Sequence, residues 1–317
     1  MILVVSMNPA LDVRMIVGQL NKGAVNRIRW SKSWPGGKGI HVASTARTLG
    51  SEVVMTGFLP SLGCEYFLDE LAKEGIEADF INVEGKLRTC ISLLEEERQI
   101  ETELLEPGGS VAPNNLELLK DRVKELASSS EVVVFTGSLP SGIPFWAYAE
   151  LISACNKLGC QTILDTSGEA LREGVNAVPS MIKPNREEAA ELVGFEIEDM
   201  EAAYSASRQL ADLKTILAVI SLGAEGIVIS SSTSTQLAVP PFIEVRNPTG
   251  SGDCLVGGFA FGLERRLSLE QTIRIGVACG AANAASDTTG ELNLSLVKEL
   301  ENRVLIHERD TAVTLLR

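Results

Sequence analysis

Residues Asn247-Pro-Thr-Gly-Ser-Gly-Asp253, running directly into the small, apolar stretch Cys254–Phe261, combine two things that phosphate chemistry needs. Gly250 and Gly252 bracket Ser251 in a tight turn, and a helix following it would aim free backbone N–H groups at whatever sits there. A glycine-led helix start is a prepared site for a phosphate or a developing oxyanion. Asp253 falls in the first helical turn, where the positive end of the dipole keeps a carboxylate ionised. An anion cradle with a carboxylate beside it is equipment for phosphoryl transfer to a hydroxyl. Taken alone, Gly-Ser-Gly-Asp is also an ordinary helix cap, so its meaning depends on its company.

Trp34-Pro-Gly-Gly-Lys-Gly-Ile-His41 is a second glycine-rich turn, opening a helical stretch that reaches Leu49. It is not a nucleotide-binding Walker A loop, because Gly39 rather than Ser or Thr follows Lys38. Nor does Asn8-Pro9 supply the glycine fingerprint of a dinucleotide fold. The turn reads as a close backbone approach to a polyol with Lys38 over a phosphate, or as a flexible turn with a solvated lysine. Single polar residues then end several strand-like runs, where an open α/β sheet binds ligand. Asp12, the segment Thr136–Gly142 and Lys183-Pro-Asn-Arg-Glu-Glu188 are of this kind, each with a plain turn or cap as its alternative. Asn185 with Glu188 makes a capping-box variant, compatible with Glu188 also organising Mg²⁺ through water.

The elements that must position these residues recur along the chain. Apolar, β-branched runs at Ile2–Ser6, Glu52–Gly57, Val132–Thr136, Thr162–Asp165, Met181–Lys183, Ile216–Ser221 and Gly226–Ser230 suit strands covered on both faces. Between them lie helix candidates at Leu116–Leu126, Phe145–Leu158, Glu187–Val193 and Met200–Leu213. The alternation predicts an α/β fold, a parallel, doubly wound sheet with helices on both faces. Residues 13–34 and 87–107 break the rhythm, with Arg27–Trp30, Cys90–Glu95 and Thr102–Leu105 reading as strands. They predict one small antiparallel sheet projecting from a core made of residues 1–12, 35–86 and 108–317. Such a sheet exposes one face unless it closes over substrate or pairs with a second subunit, so either a lid or a homodimer is expected.

With 317 residues and 45% hydrophobic content the chain can bury a large core. A net charge of −14 argues against nucleic-acid or anionic-membrane partners, and requires that any anionic substrate meet a local cluster of Lys and Arg. No apolar run approaches membrane-spanning length and no leader pattern precedes Ile2–Val5, so a cytoplasmic protein is expected. The six cysteines lack metal or redox spacing and read as reduced, mostly buried residues.

In this order the pieces resemble the ribokinase-like PfkB carbohydrate kinases, and within them the 1-phosphofructokinase and tagatose-6-phosphate kinase group. The likeness rests on patches from end to end, among them Met7–Asp12, Gly36–Ile40, Leu87–Ile91, Thr102–Glu106, Gly137–Pro140, Asp165–Leu171, Lys183–Glu188, Ser221–Gly226 and Asn247–Asp253. It implies a Rossmann-like core with a small β-sheet lid, and an ATP- and Mg²⁺-dependent kinase of a ketohexose phosphate, fructose 1-phosphate or tagatose 6-phosphate. Carried over residue by residue, Asp253 is the base and Gly250, Ser251 and Gly252 the anion hole. Asp12 and Gly37 hold sugar hydroxyls; Lys38, Arg88 and Arg27 hold the sugar's existing phosphate, with Ser138 nearby. Lys183, Asn185, Ser221, Gly223, Glu225, Gly226 and Asn283 match nucleotide-contacting positions, and Glu188 the position associated with Mg²⁺. Asn283 also reads as a satisfied core amide. His41 stands where relatives have Asn, which puts the sugar's identity in doubt. A kinase of an unphosphorylated sugar or nucleoside, and a non-catalytic sugar-phosphate sensor, are the alternatives.

Overall fold

The computed structural model describes residues 1–212 and 217–309. The first third contains β1 (Ile2–Ser6), β2 (Ala10–Val17), β3 (Trp30–Gly36), α1 (Lys38–Thr48), β4 (Val53–Leu62), α2 (Glu65–Glu74), β5 (Glu77–Ala78), β6 (Ile81–Lys86), β7 (Arg88–Glu95) and β8 (Ile100–Leu105). Next come α3 (Pro113–Ala127), β9 (Val132–Thr136), α4 (Ala147–Lys157), β10 (Gln161–Asp165), α5 (Gly168–Val175), β11 (Met181–Ile182), α6 (Arg186–Val193) and α7 (Met200–Asp212). The rest holds β12 (Leu217–Ser221), β13 (Ile227–Ser230), β14 (Thr235–Val239), α8 (Ser251–Glu264), α9 (Leu269–Ala284), α10 (Leu294–Glu301) and β15 (Leu305–Arg309). The predicted helix end Leu213 and strand start Ile216 lie outside the described residues.

The central strands are apolar without alternation because both faces are covered. Leu3 and Val5 of β1 join a cluster with α3, α4 and α7, whereas Ile2 and Val4 join one with α1 and α8 on the other side. The large sheet runs β15-β14-β13-β12-β11-β10-β9-β1-β4-β5, with β6 on β4. Pairing is parallel from β12 to β5, and antiparallel from β12 out to β15. The direction changes there because a single helical turn at Gly223–Glu225 joins β12 to β13. That is long enough for a hairpin and too short for a crossover helix. Ser6, Thr136 and Asp165 lie abreast at the carboxyl ends of β1, β9 and β10.

The small sheet, in the order β3-β2-β7-β8, is two antiparallel hairpins whose first strands meet in parallel. Both hairpins leave the large sheet by the same edge, β2 after β1 and β7 after β6, so β2 and β7 set out in one direction. The strand expected at Arg27–Trp30 begins at Trp30 and runs to Gly36. Asn26 holds the preceding turn as a loop, its side chain accepting from the Asn21 amide and donating to the Asn21 and Ala24 carbonyls.

No helix among the described residues is long and apolar enough to cross a membrane. All six cysteines are free thiols, four of them buried.

Candidate active site

Helix α8 starts at Ser251 with Gly250 as its N-cap, in the left-handed conformation at φ 77°. A side chain there would be strained, and its Cβ would lie 2.4 Å from Thr289 Cγ2. The Asp253 and Cys254 amides both donate to the Gly250 carbonyl, at 3.0 and 2.9 Å, and Ser251 N–H donates to Pro248. Gly250 and Gly252 N–H have no acceptor among the described residues, and an anion in the turn would meet them first.

Buried amides brace the loop from behind. Asn283, fully buried, donates to the Thr249 carbonyl at 2.8 Å and to Ser251 Oγ at 3.0 Å, while its oxygen accepts from Gly290 N–H at 2.8 Å. Both N–H arms of Asn283 and its oxygen are thus bonded to the loop, as its reading as a satisfied core amide expects. Asn247 adds a bond to Thr289 Oγ1 at 2.8 Å and accepts from Thr249 N–H.

Asp253 is 8% exposed, and burial pushes its carboxyl up to about 6. The cations Lys38, His41 and Lys183 pull the other way, and the Asp165 charge adds to the rise. Asp165, with no exposed surface, accepts from both Lys38 Nζ and Lys183 Nζ on one oxygen, each at 3.2 Å. Burial opposes its ionisation, but these two ammonium groups hold it below the usual carboxylate range. Its second oxygen has no partner. Burial would lower the Lys38 pKa, yet the charges of Asp165, Asp253 and Glu188 outweigh it and keep the ammonium protonated.

In front of the turn lies a cavity of about 370 Å³ between the carboxyl edge of the large sheet and the small sheet. Asp12, Gly37, Lys38, His41, Arg88, Ser138, Gly250 and Asp253 all line it. Asp12 stands on β2, so close to Gly36 that a Cβ there would lie 2.0 Å from its carboxyl carbon. His41 is buried with Nε2 3.6 Å from Asp12 Oδ2; burial disfavours its charge, but the bond to Asp12 and the charge of Asp253 raise its pKa above the ordinary value. Arg88 donates from Nε and Nη2 to the Asn8 carbonyl and from Nη1 to the Glu106 carbonyl. Asn8 in turn donates to Ser138 Oγ at 3.1 Å. Arg27 is the exception: it is exposed in the loop before β3 and does not line the cavity, because β3 begins three residues later than its sequence suggests.

The residues expected to contact nucleotide lie elsewhere on the same sheet edge. Asn185 and Ser221 form a parallel bridge between the segment following β11 and the end of β12. Asn185 and Glu188 complete a capping box on α6, at 2.8 and 2.9 Å. Gly223 and Gly226 take positive φ in the turn to β13, and Glu225 pairs with Arg186 at 2.5 Å. None of Asn185, Ser221, Gly223, Glu225 and Gly226 lines the cavity; Lys183 links the two groups, its Nζ lying 3.2 Å from where a Cβ on Gly252 would stand.

Neither spacing nor resemblance singled out Asp165 as the hub of two lysines, or Arg14, which lines the cavity from β2. A signal for each exists in the chain: Asp165 ends a buried strand, and Arg14 follows Asp12 by two residues, which on a strand puts both on one face.

The chain matches the family model described as pfkB family carbohydrate kinase over residues 4–295. A tagatose-6-phosphate kinase of Staphylococcus epidermidis is 32% identical over 314 residues, covering 97% of this chain and all of that one. The structure of Escherichia coli phosphofructokinase-2 with substrates and products superimposes with a TM-score of 0.90 at 27% identity, over 95% of this chain and 98% of that one. The tetrameric inhibited form of the same E. coli protein gives 0.87 at 26% identity, with the same coverage.

Proposed function

The chain belongs to the pfkB family of carbohydrate kinases, phosphotransferases with an alcohol acceptor, and on that premise we propose that it phosphorylates a ketohexose phosphate to the bisphosphate at the expense of ATP. Fructose 1-phosphate and tagatose 6-phosphate are the acceptors proposed. The observation that carries this reading is Asp253, a buried carboxylate titrating near 6, beside a glycine turn with two unpartnered amides and at the wall of a cavity lined by Lys38 and Arg88.

In the proposed mechanism Asp253 accepts the proton of the attacking hydroxyl. A base with a pKa near 6 is ionised at neutral pH yet basic enough to help, a contribution of roughly 10²–10⁴-fold. The free amides of Gly250 and Gly252, with Ser251 between them, face the charge that develops on the transferring group, and Lys38 and Lys183, held by Asp165, add fixed positive charge there. Asp12 and the Gly37 backbone orient the sugar, His41 fixes Asp12 from behind, and Arg88 with Ser138 faces the existing phosphate. Asn185 and the Ser221–Gly226 turn form the nucleotide's side of the edge.

Among the described residues no group of three or more His, Cys, Asp or Glu could hold a metal ion by itself. That fits Mg²⁺, which is commonly bound through one carboxylate, water and substrate phosphates. Glu188 is the carboxylate that would hold it, since the Asn185 amide takes only one of its oxygens. Bound there, Mg²⁺ would neutralise phosphate charge.

An unphosphorylated sugar or nucleoside as acceptor would leave Arg88 facing the cavity without an anion. A non-catalytic sensor would leave the raised pKa of Asp253 without a use. We further propose that the small sheet closes over the acceptor, that its outer strand pairs two chains, and that the enzyme works in the cytoplasm. ADP release measured over a panel of ketose phosphates tests the main reading: turnover dependent on at least one of them is expected, and none on any of them would overturn it.

A further inference from the structure

One hydrogen bond ties the small sheet to the far end of the chain. Arg14 Nη1 on β2 donates at 2.8 Å to the backbone carbonyl of Asp287, in the loop between α9 and α10. Among the described residues no other hydrogen bond joins β2, β3, β7 or β8 to any residue beyond Glu106. Arg14 stands four residues past Ala10, the start of β2, so the tie is made roughly 13 Å out along the strand. A charged donor on a carbonyl bonds more strongly than a neutral one, yet in this exposed place the bond can be broken and remade at modest cost.

The loop that Arg14 reaches is fastened at both ends to the segment forming the anion turn. At its start the Ala284 carbonyl accepts from the Arg246 and Asn247 amides, at 2.8 and 3.1 Å. At its end Thr289 Oγ1 accepts from Asn247, and Gly290 N–H donates to Asn283, the same amide that braces Thr249 and Ser251. Between the two ends the Asp287 carboxylate pairs with Arg246 at 3.0 Å. A second route leads from the loop back to β2: a Cβ on Gly290 would lie 2.6 Å from His41 Nδ1, and Nε2 of the same ring faces Asp12. Residues 285–290 therefore touch the small sheet on one side and the anion turn on the other. A contiguous network of bonds and packed groups is what carries coupling between two sites.

We propose that Arg14 is a positioning residue that couples the small sheet to the anion turn through residues 285–290, so that a nucleotide ordering the turn and an acceptor drawing in the sheet favour the same arrangement. The identities of the two ligands rest on the kinase reading above, whereas the coupling rests on Arg14 and the loop. By linkage each ligand tightens the other by one common factor, typically about 5- to 150-fold.

Calorimetric titration of the full chain with tagatose 6-phosphate and with fructose 1-phosphate, each with and without a saturating non-hydrolysable ATP analogue and Mg²⁺, measures that factor. Wild type is expected to bind an acceptor at least about 5-fold more tightly with the analogue present, and Arg14→Met less than about 2-fold. Arg14→Lys, which still has a charged donor for the carbonyl, should recover part of the factor. If Arg14 merely touched the acceptor, Arg14→Met would weaken binding equally with and without the analogue; an unchanged factor would overturn the proposal. Hydrogen exchange needs no acceptor and so separates the coupling from the substrate reading. The ATP analogue alone should slow exchange of the β2 and β3 amides in wild type and not in Arg14→Met. If neither ketose phosphate bound while that protection was seen in wild type and lost in Arg14→Met, the acceptor reading would fall and the coupling would stand. No protection in wild type, or equal protection in both proteins, would overturn the coupling.

Discussion

The catalytic role proposed for Asp253 works against its contribution to stability. Between the ordinary carboxyl value of 3.8 and about 6, the folded chain keeps a proton that the unfolded chain has released, so stability falls as pH rises through that window. At neutral pH the ionised, buried carboxylate therefore costs the fold on the order of 1–3 kcal/mol. Asp253→Asn should lower kcat by roughly 10²–10⁴-fold with little change in KM, and at the same time raise the midpoint of thermal unfolding at pH 7.5. Turnover by the folded variant near the wild-type rate would remove Asp253 from the role of base. In wild type, kcat/KM should climb through an acid limb with a midpoint near pH 6, which a pH profile would detect. Asp165 behaves in the opposite sense: its lowered pKa means that its contribution is present above the ordinary carboxyl value and is lost as acid titrates it. Asp165→Ala, leaving the 4%-exposed Lys183 ammonium without its carboxylate, should cost about 3–5 kcal/mol in a denaturant titration. Asp253 and its glycines were legible as a motif because the turn they form depends on local backbone geometry. The lysine hub was not, since Lys38, Asp165 and Lys183 meet only after three separate strand and turn ends are brought to one sheet edge.

At the scale of elements, the anion turn depends on how closely α8 can approach α9. A Cβ on Gly258 would lie 2.7 Å from the Gly276 Cα, so the two helices touch backbone to backbone, one turn and a half beyond Asp253. Gly258→Val should force them apart, destabilise the fold by about 1–3 kcal/mol, and loosen the loop that Asn283 braces from α9. Chemical denaturation measures the first effect, and a rise in KM for ATP the second. The helices and parallel strands were readable from periodicity, because burial on both faces writes continuous apolar runs. The antiparallel margin beyond β12 was less so: strands of either direction carry the same residues, and only the shortness of the Gly223–Glu225 connection distinguishes them. Similarly, Arg27 was carried to the cavity by likeness, while the Asn21–Asn26 loop contacts that delay β3 follow no apolar alternation.

For the whole molecule, the β8 margin of the small sheet is an unprotected edge. Among the described residues strand β8 pairs only with β7, and it exposes Ile100, Leu104 and Leu105 by 48, 56 and 63%. A long apolar edge of this kind is rarely left uncovered. The mass in solution, measured by light scattering, should be about twice 33.9 kDa, and Leu104→Lys should shift it toward the single chain. A monomeric wild type would set the dimer aside.

The parallel seam between the two hairpins has a mechanical result. Gly36, Ala10 and Arg88 stand side by side across three strands, and all the chain crossings between flap and body occur near that line. It therefore has the place of an axle for the closure proposed above. At about 3.3 Å per residue, Asp12 sits roughly 7 Å from the axle and the far end of β2 at Val17 roughly 23 Å. A rocking motion small enough to leave Asp12 on the sugar hydroxyl proposed for it would sweep the distal rim through about three times the arc, so the mouth would open wide for exchange while the carboxylate nearest the pivot hardly shifted.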